Sequence, residues 1–235
     1  MQNTENIDLD ELEKFSSRAE QWWDTQGEFK TLHQINPVRL QFINNHMSLQ
    51  DKYILDVGCG GGILAEAMAK QNTYVTAIDA SKENINIATQ HAADNDLEIN
   101  YHTITAETFS ENHIAKFDLV TCMELLEHVP DPASVILACS KMVKPGGHVM
   151  FSTINRNVKA YLLAVLTGEH LLKLLPKGTH QYEKFIRPSE LLNWCNESEL
   201  KMNDLAGMHY NPLIDRCSLT KNIDVNYLLD TIKLN

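Results

Sequence analysis

The sequence predicts an α/β fold with a doubly wound, mostly parallel sheet, and three observations predict it. Short apolar segments typical of strands alternate with helical segments between residues 53 and 153. The first strand runs into a glycine-rich turn, Gly58 to Gly62, which leads into a helix beginning near Ile63. The second strand ends in an acid, Asp79, about 20 residues further on. Together they indicate a Rossmann-like sheet with helices on both faces.

The individual elements follow from local patterns. Residues 8–26 carry apolar side chains at helical spacing and are expected to form one helix. A second helix is expected from Pro37 to Met47, since proline suits a first helical turn. The expected strands cover residues 53–57, 74–78, 99–103, 117–122 and 148–153, and the helices between them residues 62–70, 82–93 and 131–142. Asp131 and Pro132 begin the last of these helices, and residues 144–147 have the composition of a turn.

The chain is expected to be a single domain over residues 1–235, with an N-terminal helical cap at 8–47 and a helical insertion at 156–187. Within the insertion, residues 158–175 are strongly apolar and are flanked by lysines. Two interpretations stay open: a helical excursion packed on the sheet, or a lid or lipid-contacting surface. The uninterrupted apolar run that includes Tyr161 to Leu166 is too short to span a bilayer.

Composition limits the class of protein further. Apolar residues make up 43% and charged residues 22%, as in soluble globular proteins. The net charge of −11 argues against nucleic acid as a partner. Five cysteines form no C-x-x-C pair, which fits a reducing cytoplasm. The first 14 residues are polar and acidic, unlike a secretory signal.

The glycine spacing distinguishes two kinds of cofactor. The dinucleotide fingerprint would require glycine at position 63, where this chain has isoleucine. Instead, Asp56, Gly58, Gly60 and Gly62 form D-x-G-x-G-x-G, which resembles motif I of the class I S-adenosylmethionine (SAM) methyltransferases. Asp79 is placed to hold the ribose hydroxyls of such a cofactor. The alternatives are a plain strand-to-helix link, a nicotinamide-dependent oxidoreductase and a non-catalytic scaffold with the same fold.

A second polar cluster follows the fourth strand, where ligands bind in sheets of this kind. If residues 124–128 form a helical turn, Glu124, Glu127 and His128 share one face at i, i+3 and i+4. Two carboxylates and an imidazole can bind a divalent ion or remove a proton. The alternative is a solvated polar turn in which His128 caps neighbouring backbone.

Longer segments resemble one family, the bacterial O-methyltransferases of ubiquinone biosynthesis, over residues from about 10 to 228. The segments that carry the resemblance are W-W-D at 22–24, G-E-F-K at 27–30, I-N-P at 35–37, motif I at 56–64, E-H-V-P-D-P at 127–132, K-P-G-G at 144–147, P-K-G-T-H at 176–180 and H-Y-N-P at 209–212. The resemblance implies a Rossmann-like class I methyltransferase fold with a seven-stranded sheet.

The resemblance also implies roles for individual residues. The positions that match SAM-contacting residues of the family are Arg39, Gly58, Asp79 and Met123, and the expected neighbours of the methionine and adenine ends are Gly60, Ala106 and Glu107. The positions that match a proposed Mg²⁺ site of the eukaryotic counterpart are Glu124, Glu127 and His128. His128 and Glu127 are the expected catalytic residues.

The implied reaction methylates ring hydroxyls of polyprenyl catechols and hydroxyphenols. Ionising a phenol of pKa ~10 at pH 7 costs about 4 kcal/mol, which either a neutral imidazole base or a bridging metal ion can offset. Both schemes stay open, and the two acids beside the histidine favour the metal. The implied partners are the polyprenyl substrate, membrane lipid at 156–187 on the cytoplasmic face of the inner membrane, and other enzymes of ubiquinone biosynthesis. A small-phenol O-methyltransferase is the alternative within the same enzyme class.

Overall fold

A computed structural model of the chain describes residues 6–157, 160, 182–211 and 216–235. Eight strands form one sheet. They are β1 Tyr53–Val57, β2 Tyr74–Asp79, β3 Ile99–Thr103, β4 Phe117–Met123, β5 Val143–Ile154, β6 Leu200–Asn211, β7 Arg216–Thr220 and β8 Asn226–Lys233. Their order across the sheet is β3-β2-β1-β4-β5-β8-β6-β7.

The strand order places the site. Strands β1 to β5 pair in parallel, and β8, β6 and β7 add an antiparallel end. The order runs from β1 to β2 and β3 in one direction and from β1 to β4 and β5 in the other. Ligands in open α/β sheets bind outside the carboxyl ends of the strands at such a reversal. The carboxyl ends of β1 and β4 are therefore where a ligand is expected.

Helices cover both faces of the sheet, as the alternating sequence pattern predicts. The helices of the described residues are α1 Leu9–Ser16, α2 Lys30–His46, α3 Ile63–Ala69, α4 Lys82–Asp94, α5 Ala106–Ser110, α6 Pro132–Met142 and α7 Pro188–Glu197. Short 3-10 turns lie at Ala19–Gln21, Leu126–His128 and Tyr182–Lys184. No helix among these has both the length and the apolar character that crossing a membrane requires.

Two hydrophobic cores lie on opposite faces of the sheet. Neighbouring strand residues alternate between them: Leu55 packs in one core and Ile54 in the other, as do Val120 and Leu119. Side chains of α5, α6 and α7 complete the first core, and side chains of α2, α3 and α4 complete the second. The sheet is thus the middle layer of three, and its buried strands are held rigidly behind the site.

The sheet differs from its sequence prediction in two respects. The described sheet has eight strands rather than the seven expected, because β7 pairs with β6 as an additional edge strand. The segment 144–147, expected to be a turn, lies inside β5 as an irregularity. There the pairing with β4 jumps from Phe117–Val143 to Leu119–His148, so the extra residues bulge out of the ladder.

The N-terminal helices also begin and end elsewhere than expected. The first helix ends at Ser16 rather than near residue 26, and the next begins at Lys30 rather than at Pro37. After Ser16 the chain turns, and the two tryptophans bind different elements: Nε1 of Trp22 donates to Asn84 Oδ1, and Nε1 of Trp23 donates to the Gly61 carbonyl. Pro37 lies inside α2, between the buried residues Asn36 and Val38, although proline usually disrupts a helix interior.

Most of the expected insertion lies outside the described residues. This holds for residues 158, 159 and 161–181, which include nearly all of the apolar segment 158–175 and its lysines Lys159, Lys173 and Lys177. The division into cap, sheet domain and insertion therefore stays a prediction. The described parts on either side of the insertion are held in place: the side chain of Arg156 pairs with Glu190 of α7, and Lys184 pairs with Asp8.

Candidate active site

The candidate site is built on the turn that joins β1 to α3. Gly58 and Gly60 have φ values of +70° and +53°, in the left-handed region that other residues occupy at a cost. Both are also approached closely. A Cβ atom would lie 2.8 Å from Leu125 at Gly58 and 2.4 Å from Trp22 at Gly60. Backbone conformation and packing therefore both require glycine at these positions.

Asp79, the last residue of β2, joins the glycine turn to the next segment. Its Oδ2 accepts a hydrogen bond from the Gly60 N–H at 2.9 Å, and its Oδ1 accepts one from the Ser81 N–H at 2.8 Å. Burial raises the pKa of Asp79, while the hydrogen bonds from Ser81 and Gly60 oppose that rise. The side chain lines the pocket, where the sequence predicts the ribose of the cofactor.

Asp56 lies beneath the turn and does not line the pocket. Its side chain is buried, and the hydroxyl of Thr121 donates to its Oδ1 at 2.7 Å. Burial raises the pKa of Asp56 to about 7, although the Thr121 hydrogen bond and the charge of Arg39 lower it. The first acid of D-x-G-x-G-x-G is thus a supporting residue that ties β1 to β4.

A pocket opens above the carboxyl ends of β1 to β4. The residues predicted from sequence that line it are Gly58, Gly60, Asp79, Ala106, Glu107, Glu124 and His128. N-terminal side chains line the same pocket, among them Glu11, Phe15 and Trp22. Side chains of the N-terminal segment thus form part of the pocket wall.

Arg39 and Met123 lie behind the pocket wall. Arg39 is only 5% exposed, and its Nη2 lies 3.4 Å from Oε1 of Glu124. Its Nε and Nη2 atoms have no hydrogen-bond partner among the described residues. Met123 is buried in the core formed with α2, directly before Glu124 in the chain. Glu124 already supplies one anion beside this buried guanidinium, and the Arg39 donors that make no hydrogen bond are available to an anionic group of a ligand.

The expected helical turn over residues 124–128 is not formed. Glu124 has a φ of +55°, which takes it out of the right-handed helical region, and the 3-10 turn begins only at Leu126. The Glu124 N–H donates to the Ser152 carbonyl at 2.9 Å, and the Ser152 hydroxyl donates to Glu124 Oε1 at 2.6 Å. These bonds tie both the backbone and the side chain of Glu124 to β5.

Glu127 and His128 point to different partners. Glu127 is buried and accepts a hydrogen bond from the Thr153 hydroxyl at 2.9 Å. Burial, together with the charge of Glu124, raises the pKa of Glu127 to about 7. The Nδ1 atom of His128 lies 2.8 Å from Oε2 of Glu11. In the described part of the chain, no three His, Cys, Asp or Glu side chains are grouped as metal ligands, so this arrangement does not fit the expected Mg²⁺ site.

The sequence did not predict two side-chain contacts that link His128 to the N-terminal helix. Glu11 contacts His128 from α1, and Lys184, beyond the insertion, contacts Glu11 in turn. Neither residue belongs to a local motif, and each is far from His128 in the chain. Glu11 lies on the same helix as the apolar residues Leu12 and Phe15. Because a glutamate is usually exposed, its residue type did not indicate that it is buried.

A family model described as a methyltransferase domain matches residues 32–205. A ubiquinone biosynthesis O-methyltransferase of Aliivibrio fischeri strain MJ11 is 55% identical over 227 residues, which are 96% of this chain and 97% of that protein. One of Aromatoleum aromaticum is 54% identical over 224 residues, 95% of this chain and 96% of that protein.

The chain belongs to the ubiquinone biosynthesis O-methyltransferase family. The family and the enzyme class expected from the sequence are thereby confirmed. Two solved structures confirm the fold. Magnesium protoporphyrin IX methyltransferase of Synechocystis has a TM-score of 0.64 at 14% identity, covering 96% of this chain and 93% of its own. A possible histamine N-methyltransferase of Thermotoga maritima has a TM-score of 0.64 at 14% identity, covering 95% and 98%.

Proposed function

We propose that this methyltransferase transfers a methyl group from SAM to ring hydroxyls of polyprenyl intermediates of ubiquinone synthesis. The two reactions would convert 3-demethylubiquinol to ubiquinol and 2-polyprenyl-6-hydroxyphenol to 2-methoxy-6-polyprenylphenol. The observation that carries the proposal is the pocket above β1 to β4, in which the glycine turn and Asp79 lie together with His128. The shared name of the relatives supports the substrate class.

The described residues fit SAM in three ways. Asp79 would accept hydrogen bonds from the ribose hydroxyls, because its carboxylate lines the pocket next to the glycine turn. Arg39 would pair with the carboxylate of the methionine end, because it is a buried cation with unused donors. Ala106 and Glu107 would flank the adenine, at the start of the helix after β3.

The remaining contacts proposed for SAM come from the turn and from the end of β4. Gly58 and Gly60 would let the backbone approach the ligand closely, and Met123 would pack behind it. When bound, SAM supplies an electrophilic methyl group on a sulfonium. The task of the chain is then to hold the acceptor oxygen in line with that group and to exclude water, which can lower the barrier by several kcal/mol.

The acceptor hydroxyl must also lose its proton. For a phenol of pKa ~10, full ionisation at pH 7 costs about 4 kcal/mol. His128 is the proposed base, because it lines the pocket and a neutral imidazole has an unperturbed pKa of about 6.5. Glu127 was expected to share this role. Its carboxyl is bound to Thr153 outside the pocket lining, so the proposal assigns proton removal to His128.

The segment 156–187 is proposed to contact membrane lipid near the polyprenyl tail of the substrate. Lysines beside an apolar segment support a peripheral contact with anionic lipid. The full chain should float with anionic liposomes, and a variant lacking residues 158–175 should float less. Equal flotation of both would contradict the lipid contact. Contact with other enzymes of ubiquinone biosynthesis stays a prediction from the family resemblance.

One experiment tests the reaction. Methyl transfer from SAM to a short-chain demethylated ubiquinol is followed by product mass, for the natural chain and for His128→Ala, with and without EDTA. We expect product from the natural chain in both conditions and none from His128→Ala, with the affinity for S-adenosylhomocysteine (SAH) retained. A product that is lost with EDTA and restored by Mg²⁺ would contradict a mechanism that relies on His128 alone. Methylation of free catechol but not of the prenylated acceptor would contradict the substrate class.

A further inference from the structure

A carboxylate from the N-terminal helix contacts the proposed base. Oε2 of Glu11 in α1 lies 2.8 Å from Nδ1 of His128, across 117 positions of the chain. The side chain of Glu11 is only 9% exposed and that of His128 only 18%. Both residues line the pocket. The contact is therefore inside the site rather than on the surface.

Two lysines hold Glu11 in this position. Lys184 Nζ donates to Oε1 of Glu11 at 3.2 Å and to Oδ2 of Asp8 at 2.9 Å. Lys14 Nζ lies 3.4 Å from Oε2 of Glu11. Two ammonium groups thus pair with Glu11 as an anion, and both of its oxygens are in use.

The ionised carboxylate determines which ring nitrogen of His128 carries hydrogen. An ionised carboxylate can only accept hydrogen bonds, so Nδ1 must be the donor. A neutral His128 then has its lone pair on Nε2, which has no hydrogen-bond partner among the described residues. Phe15, one turn after Glu11 in α1, packs edge-on to the imidazole with ring centroids 5.0 Å apart. The helix therefore restrains both the tautomer and the orientation of the ring.

We propose that Glu11 is a positioning residue, which holds His128 as the Nδ1–H tautomer and leaves Nε2 as the atom that accepts the proton of the acceptor hydroxyl. This inference rests on the proposed role of His128 as base. The two oxygens of Glu11 have different partners: Oε2 orients the imidazole, and Oε1 accepts a hydrogen bond from Lys184. Glu11 itself takes no proton in the reaction.

A purely structural role for Glu11 is the competing explanation. The same contact also fastens α1 over the pocket, so its loss could loosen the cap and weaken cofactor binding. The two roles differ in what they change. A positioning residue acts on kcat and on the tautomer of His128, whereas a structural fastening acts on stability and on the affinity for SAH.

The test compares Glu11→Gln, Glu11→Asp and the control Glu13→Gln, which removes an exposed carboxylate from the same helix. Each full-length variant is assayed with SAM and short-chain demethylated ubiquinol for kcat and KM, and with SAH for Kd. Ring ¹⁵N shifts of His128, assigned with His128→Ala, report the tautomer in the SAH complex.

We expect Glu11→Gln to lower kcat about 10- to 100-fold, within the ~10²–10⁴-fold that a general base contributes, with KM and Kd changed less than about threefold. Glu11→Asp should recover part of kcat because it keeps the charge, and Glu13→Gln should match the natural chain. The ¹⁵N shifts of the natural chain should show the Nδ1–H tautomer.

Other results separate the two proposals. An Nε2–H tautomer in the natural chain refutes the positioning role, even if every Glu11 variant unfolds. So does a normal kcat in Glu11→Gln while His128→Ala is inactive, or a loss of SAH affinity that accounts for the whole loss of rate. Normal turnover of His128→Ala would instead refute the base itself, and with it the proposed function of His128.

Discussion

Replacing Asp79 by alanine should weaken cofactor binding far more than folding. The carboxylate is expected to accept hydrogen bonds from two ribose hydroxyls. A hydrogen bond to a charged group contributes about 1.5–3 kcal/mol, so losing two costs about 3–6 kcal/mol. That corresponds to a Kd for SAH that is about 10²- to 10⁴-fold higher.

The same substitution removes two backbone hydrogen bonds at the site and a longer one, of 3.4 Å, from the Asn84 side chain. Asp79 accepts from the backbone N–H groups of Gly60 and Ser81, and each lost bond costs about 1 kcal/mol. Burial raises the pKa of Asp79, which shows that its charge is held at a cost, and removing that charge offsets part of the loss. We therefore expect the free energy of unfolding to fall by only about 1–2 kcal/mol.

Asp118→Ala is the matched control. Asp118 also accepts a backbone hydrogen bond, from the Tyr53 N–H at 2.9 Å, and pairs with Lys144, but it is not among the residues that line the pocket. Calorimetric titration with SAH and urea unfolding measure both quantities for each variant. The reasoning is refuted if Asp79→Ala binds SAH within threefold of the natural chain, or if Asp118→Ala loses as much affinity.

Three further substitutions test other parts of the site. Arg39→Gln should raise the Kd for SAH about 10- to 100-fold and leave unchanged the Kd for adenosine, which has no carboxylate. An equal loss of affinity for both ligands would contradict the proposed ion pair between Arg39 and the carboxylate of the methionine end. Asp56→Asn should become more stable relative to the natural chain as the pH rises. Burial raises the pKa of Asp56 from 3.8 to about 7, so between these pH values the folded natural chain keeps a proton that its unfolded state has released. The natural chain therefore loses stability over this range, and the asparagine variant does not. Urea unfolding at pH 4 and pH 8 should show that gain only at pH 8, and an equal difference at both would count against it. Gly60→Ala should lower both the free energy of unfolding and the affinity for SAH, since its Cβ would lie 2.4 Å from Trp22. Gly146 also has a left-handed φ, of +76°, but no atom lies within 4 Å of where its Cβ would be. Gly146→Ala should therefore lower stability alone.

The parts of the fold that were predicted from sequence are those with local causes. Strand β1 matches its predicted bounds, because a short apolar run between turn residues marks a buried parallel strand. Strand β3 also matches its predicted bounds, although none of its side chains is buried. Asp131 does cap α6, with Pro132 in its first turn. The glycine turn and Asp79 were likewise found from spacing alone, because strand, turn and helix follow one another directly in the chain.

The parts that were missed depend on contacts between distant segments. The left-handed backbone of Glu124 follows from its bonds to Ser152 in β5, which no helical spacing rule contains. The partner of His128 comes from α1, more than a hundred residues earlier. Burial of Glu11 needed the charges of Lys14 and Lys184 around it, and only the fold brings those groups together.

The position of β8 has a consequence for how the chain folds during synthesis. Residues 226–233 are inserted between β5 and β6, although they follow every other described strand in the chain. On the ribosome, the parallel strands can therefore associate while the hydrogen-bonding edge of β5 stays open until residues 226–233 emerge. An open edge is a template for pairing with another chain, so a nascent or C-terminally shortened form should depend on chaperones to stay unaggregated.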